Sequence, residues 1–489
     1  MEFKKQKINN DCINTVGSDT IEATCQIDTA ARGGAKQLLT VTADAIATQV
    51  ETVEGQARVE GRVNYKILYL DGEDHVNGLE YYCDWQALIE DERIDPSRAT
   101  ATAYVADDKA ALNGDIIDLT AQVSVDVWQT ISSSFEGIVD GECECKTKEI
   151  EVGRIVPLPE VRFDLSDEIE TNETVDRVLY FDARAVVDEI KQATMGSTVE
   201  GTLYADVVYL SGGELRSKQL PIPFAEEIEQ DGDITAEVAV KSARVVVSGE
   251  ENNGVIRVET VLTLSAYRNE SESVTVVEEM FAEGYDLEYD HARMVCKRPH
   301  SHYTLRHKIG IQTPIGEETG NISRIITALP CRLGLANLVA GADQITVEGL
   351  AVVSVVGEGE GMVSATVEIP FSVTAPAKGV SEDCLLDGTA TLCGVEATIK
   401  GGMLDVSVTL VARVNGYLPV IVDYIPQAQA VEAQDEGDAP AISVYFPQAG
   451  ESLWDVAREV KVSPAKLQAL NPDWEEEPRR VIVFRHKEM

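Results

Sequence analysis

The stretch Val59-Glu60-Gly61-Arg62-Val63-Asn64-Tyr65-Lys66-Ile67-Leu68-Tyr69 sets a pattern that organises most of the chain. After Gly61, apolar residues stand at every second position up to Tyr69, and Arg62, Asn64 and Lys66 lie between them. Such alternation is typical of a β-strand that buries one face and exposes the other. The stretch therefore predicts a strand with one buried face.

The same pattern occurs twice more along the chain. Val199-Glu200-Gly201 and Val347-Glu348-Gly349 repeat the tripeptide, and an alternating strand follows each of them. A Pro-Phe pair comes next, with Phe224 23 residues after Gly201 and Phe371 22 residues after Gly349; the first copy has Trp85 at this place. The long alternating strands further on keep the same spacing, 58, 57 and 57 residues after the three glycines, at Leu119, Val258 and Val406. This shared spacing predicts a triplicated unit.

The predicted fold class is mainly β. Strand-length runs separated by Gly, Asn and Asp turns predict three tandem antiparallel β domains, sandwich-like, followed by a small βααβ module. A weakly helical pattern over 182–190 leaves helix and strand open for that stretch. A polar, acidic stretch flanked by prolines predicts a flexible linker. The boundaries are 1–145, 148–290 and 300–425 for the repeats, 426–440 for the linker and 441–489 for the module.

Charge and composition restrict the partners. The formal net charge is −43, from 84 acidic and 41 basic side chains, so the surface repels nucleic acid and anionic lipid headgroups. Residues 441–489 carry only about one net negative charge, which leaves about −42 on the first 440 residues. The C-terminal module is therefore electrostatically distinct.

The sequence predicts a protein of a reducing compartment. The basic start at Lys4-Lys5-Gln6-Lys7 is not followed by an apolar segment, so we expect no signal peptide. No stretch of 18 apolar residues occurs, so we expect no transmembrane segment. The nine scattered cysteines fit reduced thiols better than a disulfide framework.

The C-terminal module has a pattern of its own. Apolar residues alternate over 442–446, recur at helical spacing over 453–460 and again at Leu467 and Leu470, and end in the strand-like run 481–484. Ser463 and Pro464 are typical of the start of a second helix. The module resembles the LysM domain. The residues that carry the resemblance are Val444-Tyr445-Phe446, Gly450-Glu451-Ser452-Leu453-Trp454-Asp455-Val456-Ala457 and Leu467-Gln468-Ala469-Leu470-Asn471.

With the tail identified, the whole chain resembles a known architecture. Units with Val-Glu-Gly, an aliphatic-Tyr strand end and a Pro-Phe pair resemble SPOCS domains, and three of them before a LysM module resemble the SipL/SpoVID family of spore coat assembly proteins. The resemblance implies a scaffold in the mother-cell cytoplasm, at the forespore surface and spore coat. It implies docking of a SpoIVA-like coat ATPase, and of other coat proteins, through the LysM end.

Two binding modes are open for the module. Protein docking is predicted for Trp454, Lys461 and Lys466, because cations and an aromatic anchor suit an acidic partner. The alternative is binding of peptidoglycan or its lipid-linked precursor in the LysM groove. The stretch 479–484 departs from the LysM ending that forms one wall of this groove, which favours protein docking. The groove residues would be Gly450, Glu451, Ser452, Leu453, Asn471 and Pro472.

Catalytic motifs are missing from the sequence. It contains no phosphate-binding glycine loop ending in Gly-Lys-Ser/Thr and no Gly-x-Ser-x-Gly elbow, so we expect no enzymatic activity and no cofactor. Four of the six histidines lie between His291 and His307 in a locally basic stretch. This cluster is interpreted as a basic connector that pairs with acidic neighbours; a metal site and a contact for an acidic partner are the alternatives.

Overall fold

The computed structural model describes residues 1–96, 99–193, 196–250, 253–432, 442–448, 450–474 and 481–484. Strands account for 79% of it and helices for 5%, and the paired strands form several small antiparallel sheets. The mainly β fold class predicted from the alternation is therefore confirmed.

The first strand set forms two antiparallel sheets, in the orders β1-β6-β5 and β2-β3-β4. One 3-10 turn, Ala30–Arg32, links its first two strands. The two sheets face each other across one apolar core, to which the central strand of each sheet contributes its alternate residues. The strands are β1 (Phe3–Asp28), β2 (Ala35–Val53), β3 (Gln56–Asp71), β4 (Val76–Glu90), β5 (Ala99–Asn113) and β6 (Ile116–Gly141).

The second strand set repeats this order with one change. Its first strand is divided in two, and both pieces pair with the long strand that closes the set. The sheets have the orders β12-β13-β7, with β8 also on β13, and β11-β10-β9. The strands are β7 (Glu144–Pro157), β8 (Val161–Glu170), β9 (Arg177–Ala193), β10 (Gly196–Ser211), β11 (Glu214–Ile228), β12 (Asp233–Glu250) and β13 (Asn253–Phe281), and the short β14 (Tyr285–Tyr289) follows.

The third strand set returns to the simple order, with sheets β15-β20-β19 and β16-β17-β18. A 3-10 turn, Glu317–Thr319, precedes its second strand. After the set, one short strand pairs antiparallel with β14. The strands are β15 (Ala292–Pro314), β16 (Arg324–Gly341), β17 (Gln344–Gly359), β18 (Gly361–Pro376), β19 (Leu385–Lys400), β20 (Met403–Tyr424) and, after the set, β21 (Ala428–Glu432).

The three repeated glycines occupy corresponding places in the sets. Each lies on the middle strand of a three-stranded sheet and faces an aromatic side chain on the following strand. A Cβ added to them would lie 2.1, 2.2 and 2.7 Å from the nearest ring atom, and 2.4, 2.4 and 2.3 Å from a carbonyl oxygen of the preceding strand. Only glycine therefore fits at this crossing. The pairs, in the same order, are Gly61 with Trp85, Gly201 with Phe224 and Gly349 with Phe371.

Replacing Gly201 with alanine is expected to lower the free energy of unfolding by about 1–3 kcal/mol, because the added methyl group overlaps Phe224 and the Val186 carbonyl oxygen. The measurement is the urea midpoint followed by circular dichroism. The matched control is Gly316→Ala, since Gly316 has an extended φ of −166° and no atom within 4 Å of an added Cβ. Equal midpoints for the two variants would contradict the steric argument.

The strand sets pack against one another through shared apolar clusters. One cluster joins Leu68 of the first set, Tyr180 of the second and Leu329 of the third. Another joins Ile8, Val276 and Val422 in the same way. Residues of all three sets thus form common cores, which the spacing of the repeats does not predict.

The structure decides between helix and strand in one stretch and differs from the prediction in another. Residues 182–190, with their weakly helical pattern, lie within strand β9 because they pair with β10 along their length. Residues 428–432, expected to belong to a flexible linker, form β21, because β14 offers them an antiparallel partner. Of the rest of that predicted linker, 426–427 directly precede β21, and 433–440 lie outside the described residues. The division of the chain into independently folding domains stays a prediction.

The C-terminal segment contains strand β22 (Ile442–Tyr445), helices α1 (Leu453–Val460) and α2 (Pro464–Leu470), and strand β23 (Val481–Phe484). The two strands pair antiparallel, so the chain returns to its starting edge after the helices. We refer to 442–484 as the tail.

Candidate docking site on the tail

The first tail helix begins with a capping box. The Ser452 hydroxyl accepts a hydrogen bond from the Asp455 backbone N–H at 3.3 Å, and the Asp455 carboxylate accepts one from the Ser452 N–H at 2.9 Å. These contacts satisfy two N–H groups that the helix cannot pair internally. In the second helix Pro464 is the first residue, as predicted, while the Ser463 side chain makes no capping hydrogen bond. The helix start fixes the direction in which Trp454 projects.

The buried core of the tail includes one residue from outside it. Val456, Ala457 and Leu467 are fully buried, together with Val481 and Val483 of the closing strand. Phe281, at the end of β13, packs into the same cluster. The tail is therefore attached to the second strand set by an apolar contact.

Trp454 lies at the centre of this attachment. Its indole N–H donates a hydrogen bond to Glu279 Oε2 at 2.8 Å, and its ring meets that of Phe281 edge-on at a centroid distance of 5.1 Å. The side chain is half-buried. The aromatic residue predicted to anchor a partner thus anchors the tail to its own chain.

The cations beside Trp454 extend the contact. Arg458 donates to Glu279 Oε2 at 2.6 Å, Lys466 donates to Glu283 Oε2 at 2.6 Å, and Lys461 pairs with Asp286. We call Glu279, Glu283 and Asp286 the acidic strip, and Trp454, Arg458, Lys461 and Lys466 the docking face. Sequence reasoning missed Arg458, although its spacing of four residues from Trp454 places both on one face of α1; Lys461 follows directly after that helix.

Glu279 is the most strongly held member of the acidic strip. Burial disfavours its carboxylate, but hydrogen bonds from Trp454 and Lys146 and the charge of Arg458 outweigh burial and hold the pKa of Glu279 below its usual value. The pairs at Glu283 and Asp286 are more exposed, and exposed ion pairs contribute little stability. The attachment therefore depends mainly on Glu279 and Phe281.

The predicted glycan-groove residues are used largely for internal contacts. The Glu451 carboxylate accepts hydrogen bonds from the Gln448 N–H at 2.8 Å and the Tyr445 hydroxyl at 3.2 Å. The Asn471 side chain bonds both backbone groups of Ile482, at 2.8 and 3.0 Å, which ties α2 to β23. The remaining groove residues are Gly450 and Ser452, at the entry to α1, the half-buried Leu453 and the exposed Pro472. The stretch 475–480, which includes Arg479 and Arg480, lies outside the described residues.

The histidine cluster lies on strand β15 except for His291, which directly precedes the strand, and its members contact different partners. His302 contacts the side chains of Thr235, Asn269 and Asn415 at 2.6–3.0 Å, whereas His300 contacts the Gly379 carbonyl oxygen at 2.7 Å. Within the described part of the chain, no three His, Cys, Asp or Glu side chains gather so as to hold a metal ion. The nearby cations pair with acidic residues: Arg298 with Glu151, Arg306 with Asp188 and Lys308 with Glu396. These pairs favour the interpretation as a basic connector.

A second candidate site was missed by sequence reasoning. It is a cavity of about 520 Å³ to which all three strand sets contribute, here called the junction cavity. Sequence reasoning missed it because its charged residues belong to different repeats. The charged side chains that line it are Arg62, Lys66, Arg184, Lys241, Arg332, Asp44, Glu80 and Asp182.

Asp182 organises the inner wall of the junction cavity. It pairs with Lys66 and, at 2.8 Å, with Arg184, and its side chain is only 4% exposed. Burial disfavours its carboxylate, but the charges of Arg184 and Lys66 outweigh burial and lower the pKa of Asp182 to about 2. Arg184 also donates to the Pro330 carbonyl oxygen at 3.1 Å, while its Nη1 is buried with no hydrogen-bond partner among the described residues. The wall therefore keeps an unused donor.

Comparison of the chain with family models, with curated proteins and with solved structures gives no match. In the described residues, no helix has both the length and the apolar character needed to cross a membrane. Function is therefore inferred from the docking face, the acidic strip and the resemblance of the sequence motifs.

Proposed function

We propose that this chain is a non-enzymatic scaffold of spore coat assembly, of the SipL/SpoVID type, which docks a SpoIVA-like coat ATPase through a LysM-type tail at the forespore surface. The proposal includes three tandem β domains as the body of the scaffold. The strand order that recurs in the three sets supports this part of it. The motif resemblance of the tail supports the remainder.

The observation that carries the docking proposal is the contact between the docking face and the acidic strip. It combines an aromatic anchor that meets both a ring and a carboxylate with three surrounding cations. Interfaces of high affinity commonly have this composition, with a Trp or Arg at the centre and exposed charges around it. The face therefore suits a partner that presents an acidic surface with an apolar residue in its middle.

Docking of such a partner would replace the contact within the chain. Trp454 and Arg458 share one acceptor oxygen, Glu279 Oε2, so a partner carboxylate at that position must displace Glu279. Since the ion pairs at Glu283 and Asp286 are exposed, only the contacts of Glu279 and Phe281 oppose the exchange strongly. The partner's affinity would then be the difference between two similar contacts.

Truncating Trp454 to alanine is expected to weaken binding of the full chain to the coat ATPase by up to roughly thirtyfold, about 2 kcal/mol for a central aromatic anchor, reduced by the share of that energy that Trp454 contributes to the Glu279 and Phe281 contact that the partner displaces. Lys461→Glu is expected to act mainly on the association rate and its salt dependence, as an exposed charge does. The measurement is binding of the purified proteins by biolayer interferometry at two salt concentrations, after circular dichroism has shown that the variants fold.

The matched control is Lys378→Glu, which makes the same charge change on an exposed side chain of the third strand set. We expect it to bind like the parent. A peptidoglycan pull-down with the same variants tests the alternative function. If the parent is retained by glycan and Trp454→Ala binds the coat ATPase like the parent, the groove rather than the docking face is the functional site.

A further inference from the structure

The junction cavity has the dimensions of a small-molecule site. Its volume of about 520 Å³ falls within the usual range for ligand pockets, roughly 300–1,000 Å³. Its walls come from β2–β5 of the first set, β9 and β12 of the second, and β16 and β19 of the third. It exists only because the three sets pack together, and sites at such interfaces commonly hold ligands.

The cavity is richer in basic side chains than the chain as a whole, although two carboxylates outside its lining, Asp107 and Asp108, pair with Arg332. Five basic and three acidic side chains line it, whereas acidic side chains outnumber basic ones about two to one in the whole sequence. A concave site lined by an excess of one sign concentrates ions of the other sign. The cavity is therefore a place where a highly acidic protein attracts anions.

Two of the basic side chains are not neutralised by carboxylates. Lys66 and Arg184 pair with Asp182, and Arg332 pairs with carboxylates of β5. Arg62 instead lies over the Tyr82 ring at 4.7 Å, and neither it nor Lys241 forms an ion pair with any carboxylate in the described ranges. With the unused Nη1 of Arg184, they offer hydrogen-bond donors to an incoming anion.

Lys241 lies at an irregularity of its strand. Lys241 is the extra residue of a β-bulge in β12, between Val240 and Ser242. The corresponding strands of the other sets, β5 and β19, have a bulge at the same place with Ala106 and Gly394 as the extra residues. The bulge thus forms without a long side chain, and bulges commonly redirect a side chain beside a functional site. The bulge itself does not need a lysine, and the lysine at this position lines the junction cavity.

We propose that the junction cavity binds a small anion with two or more phosphate charges, such as a diphosphate. Asp182 already pairs with Lys66 and Arg184, so the donors left for a ligand are Arg62, Lys241 and Nη1 of Arg184, which are more than one carboxylate group can satisfy. Guanidinium groups bind phosphate oxygens through paired, charge-assisted hydrogen bonds, and lysine adds a compact positive charge. Diphosphate supplies both the charge and the several acceptor oxygens.

The test is isothermal titration calorimetry of the full chain at low ionic strength, with inorganic pyrophosphate as the probe. We expect saturable binding that weakens as salt is added. The double variant Arg62→Gln/Lys241→Gln is expected to bind at least about tenfold more weakly, because it loses both unpaired cations. Both side chains are exposed, so the variant is expected to fold, and its circular dichroism spectrum checks this.

The control is Lys378→Gln, which removes one exposed cation outside the cavity and is expected to bind pyrophosphate like the parent. The same titration with ADP distinguishes a free diphosphate from a nucleotide as the ligand. If ADP binds with the affinity of pyrophosphate, the site recognises the diphosphate alone. If ADP binds more tightly, the site also recognises the nucleoside. The proposal is overturned if the parent does not bind pyrophosphate at millimolar concentration, or if the folded double variant binds it as tightly as the parent.

Discussion

Replacing Lys66 with methionine is expected to lower the free energy of unfolding by about 3 kcal/mol, because it removes one partner of a buried ion pair. The Lys66 and Asp182 side chains are 13% and 4% exposed. Methionine keeps most of the aliphatic volume of lysine, so the loss reports the charge rather than a cavity. Arg184 continues to pair with Asp182, which keeps the expected loss at the lower end of the range for buried pairs. The urea midpoint of the full chain measures it.

The control for Lys66 is an exposed pair of the same chemistry. Lys36 and Asp74 form an ion pair at 2.6 Å with side chains 54% and 65% exposed, so Lys36→Met is expected to cost less than about 1 kcal/mol. Adding Asp182→Asn to Lys66→Met is expected to destabilise the protein further, since it leaves the buried Arg184 without its carboxylate partner; the double-mutant cycle with Asp182→Asn alone measures the coupling between Lys66 and Asp182. Equal effects of the two lysine variants would show that burial does not strengthen the Lys66 pair.

Replacing Asp206 with asparagine is expected to stabilise the protein above neutral pH. Burial raises the pKa of Asp206 to about 7, its neighbour Asp182 adds to the shift, and the charge of Arg184 opposes it. The side chain is 5% exposed. A carboxyl that titrates near 7 when folded and at the ordinary 3.8 when unfolded reduces the stability at high pH by up to about 4 kcal/mol. Asparagine removes this cost because it resembles the neutral acid.

The direction of the pH dependence follows from proton binding. Between about pH 4 and pH 7 the folded chain retains the proton of Asp206 while the unfolded chain releases it, so this group's contribution to stability falls as pH rises. The parent minus Asp206→Asn difference in unfolding free energy should therefore decline across this range and then level off. Asp383→Asn, at an exposed position, is the control. A difference that rises with pH would contradict the assignment.

The sequence predicted the strands of the sets well because their signal is local. Alternation over 59–69 and the spacing from Gly61 to Trp85 depend only on neighbouring strands of one sheet. The close approach of glycine and ring explains why both recur at a fixed separation. For the tail, the apolar spacing around Val456 also predicted helix α1, since that spacing and the cap at Ser452 depend on residues of one helix.

The junction cavity could not be predicted from the same pattern. Asn64 and Lys66 stand on the polar side of the alternation in β3, which indicates solvent exposure in an isolated sheet. Packing of another strand set covers that side and brings Asp182 and Arg184 against it. The periodicity of one strand carries no information on what covers its polar face.

The docking face illustrates a second limit. Trp454, Lys461 and Lys466 were predicted to dock a partner, which stays a prediction; their contacts with the chain's own acidic strip were not predicted. The acidic strip lies 175–183 positions earlier in the chain than the residues it contacts, and its carboxylates are ordinary in a sequence with 84 acidic residues. Complementarity over that separation depends on where the fold places β13 and β14.

The pairing of β14 with β21 has a consequence for how the chain would respond to tension. Tyr285 faces Glu432, so the chain enters and leaves this two-stranded sheet at the same end. Tension between the tail and the first two strand sets would therefore open its hydrogen bonds one after another, as a zipper opens, once the contact with the acidic strip has yielded. The third strand set lies in sequence between Tyr289 and Ala428, the last pair to open. It therefore bears no tension along the chain until all pairs of this sheet have opened.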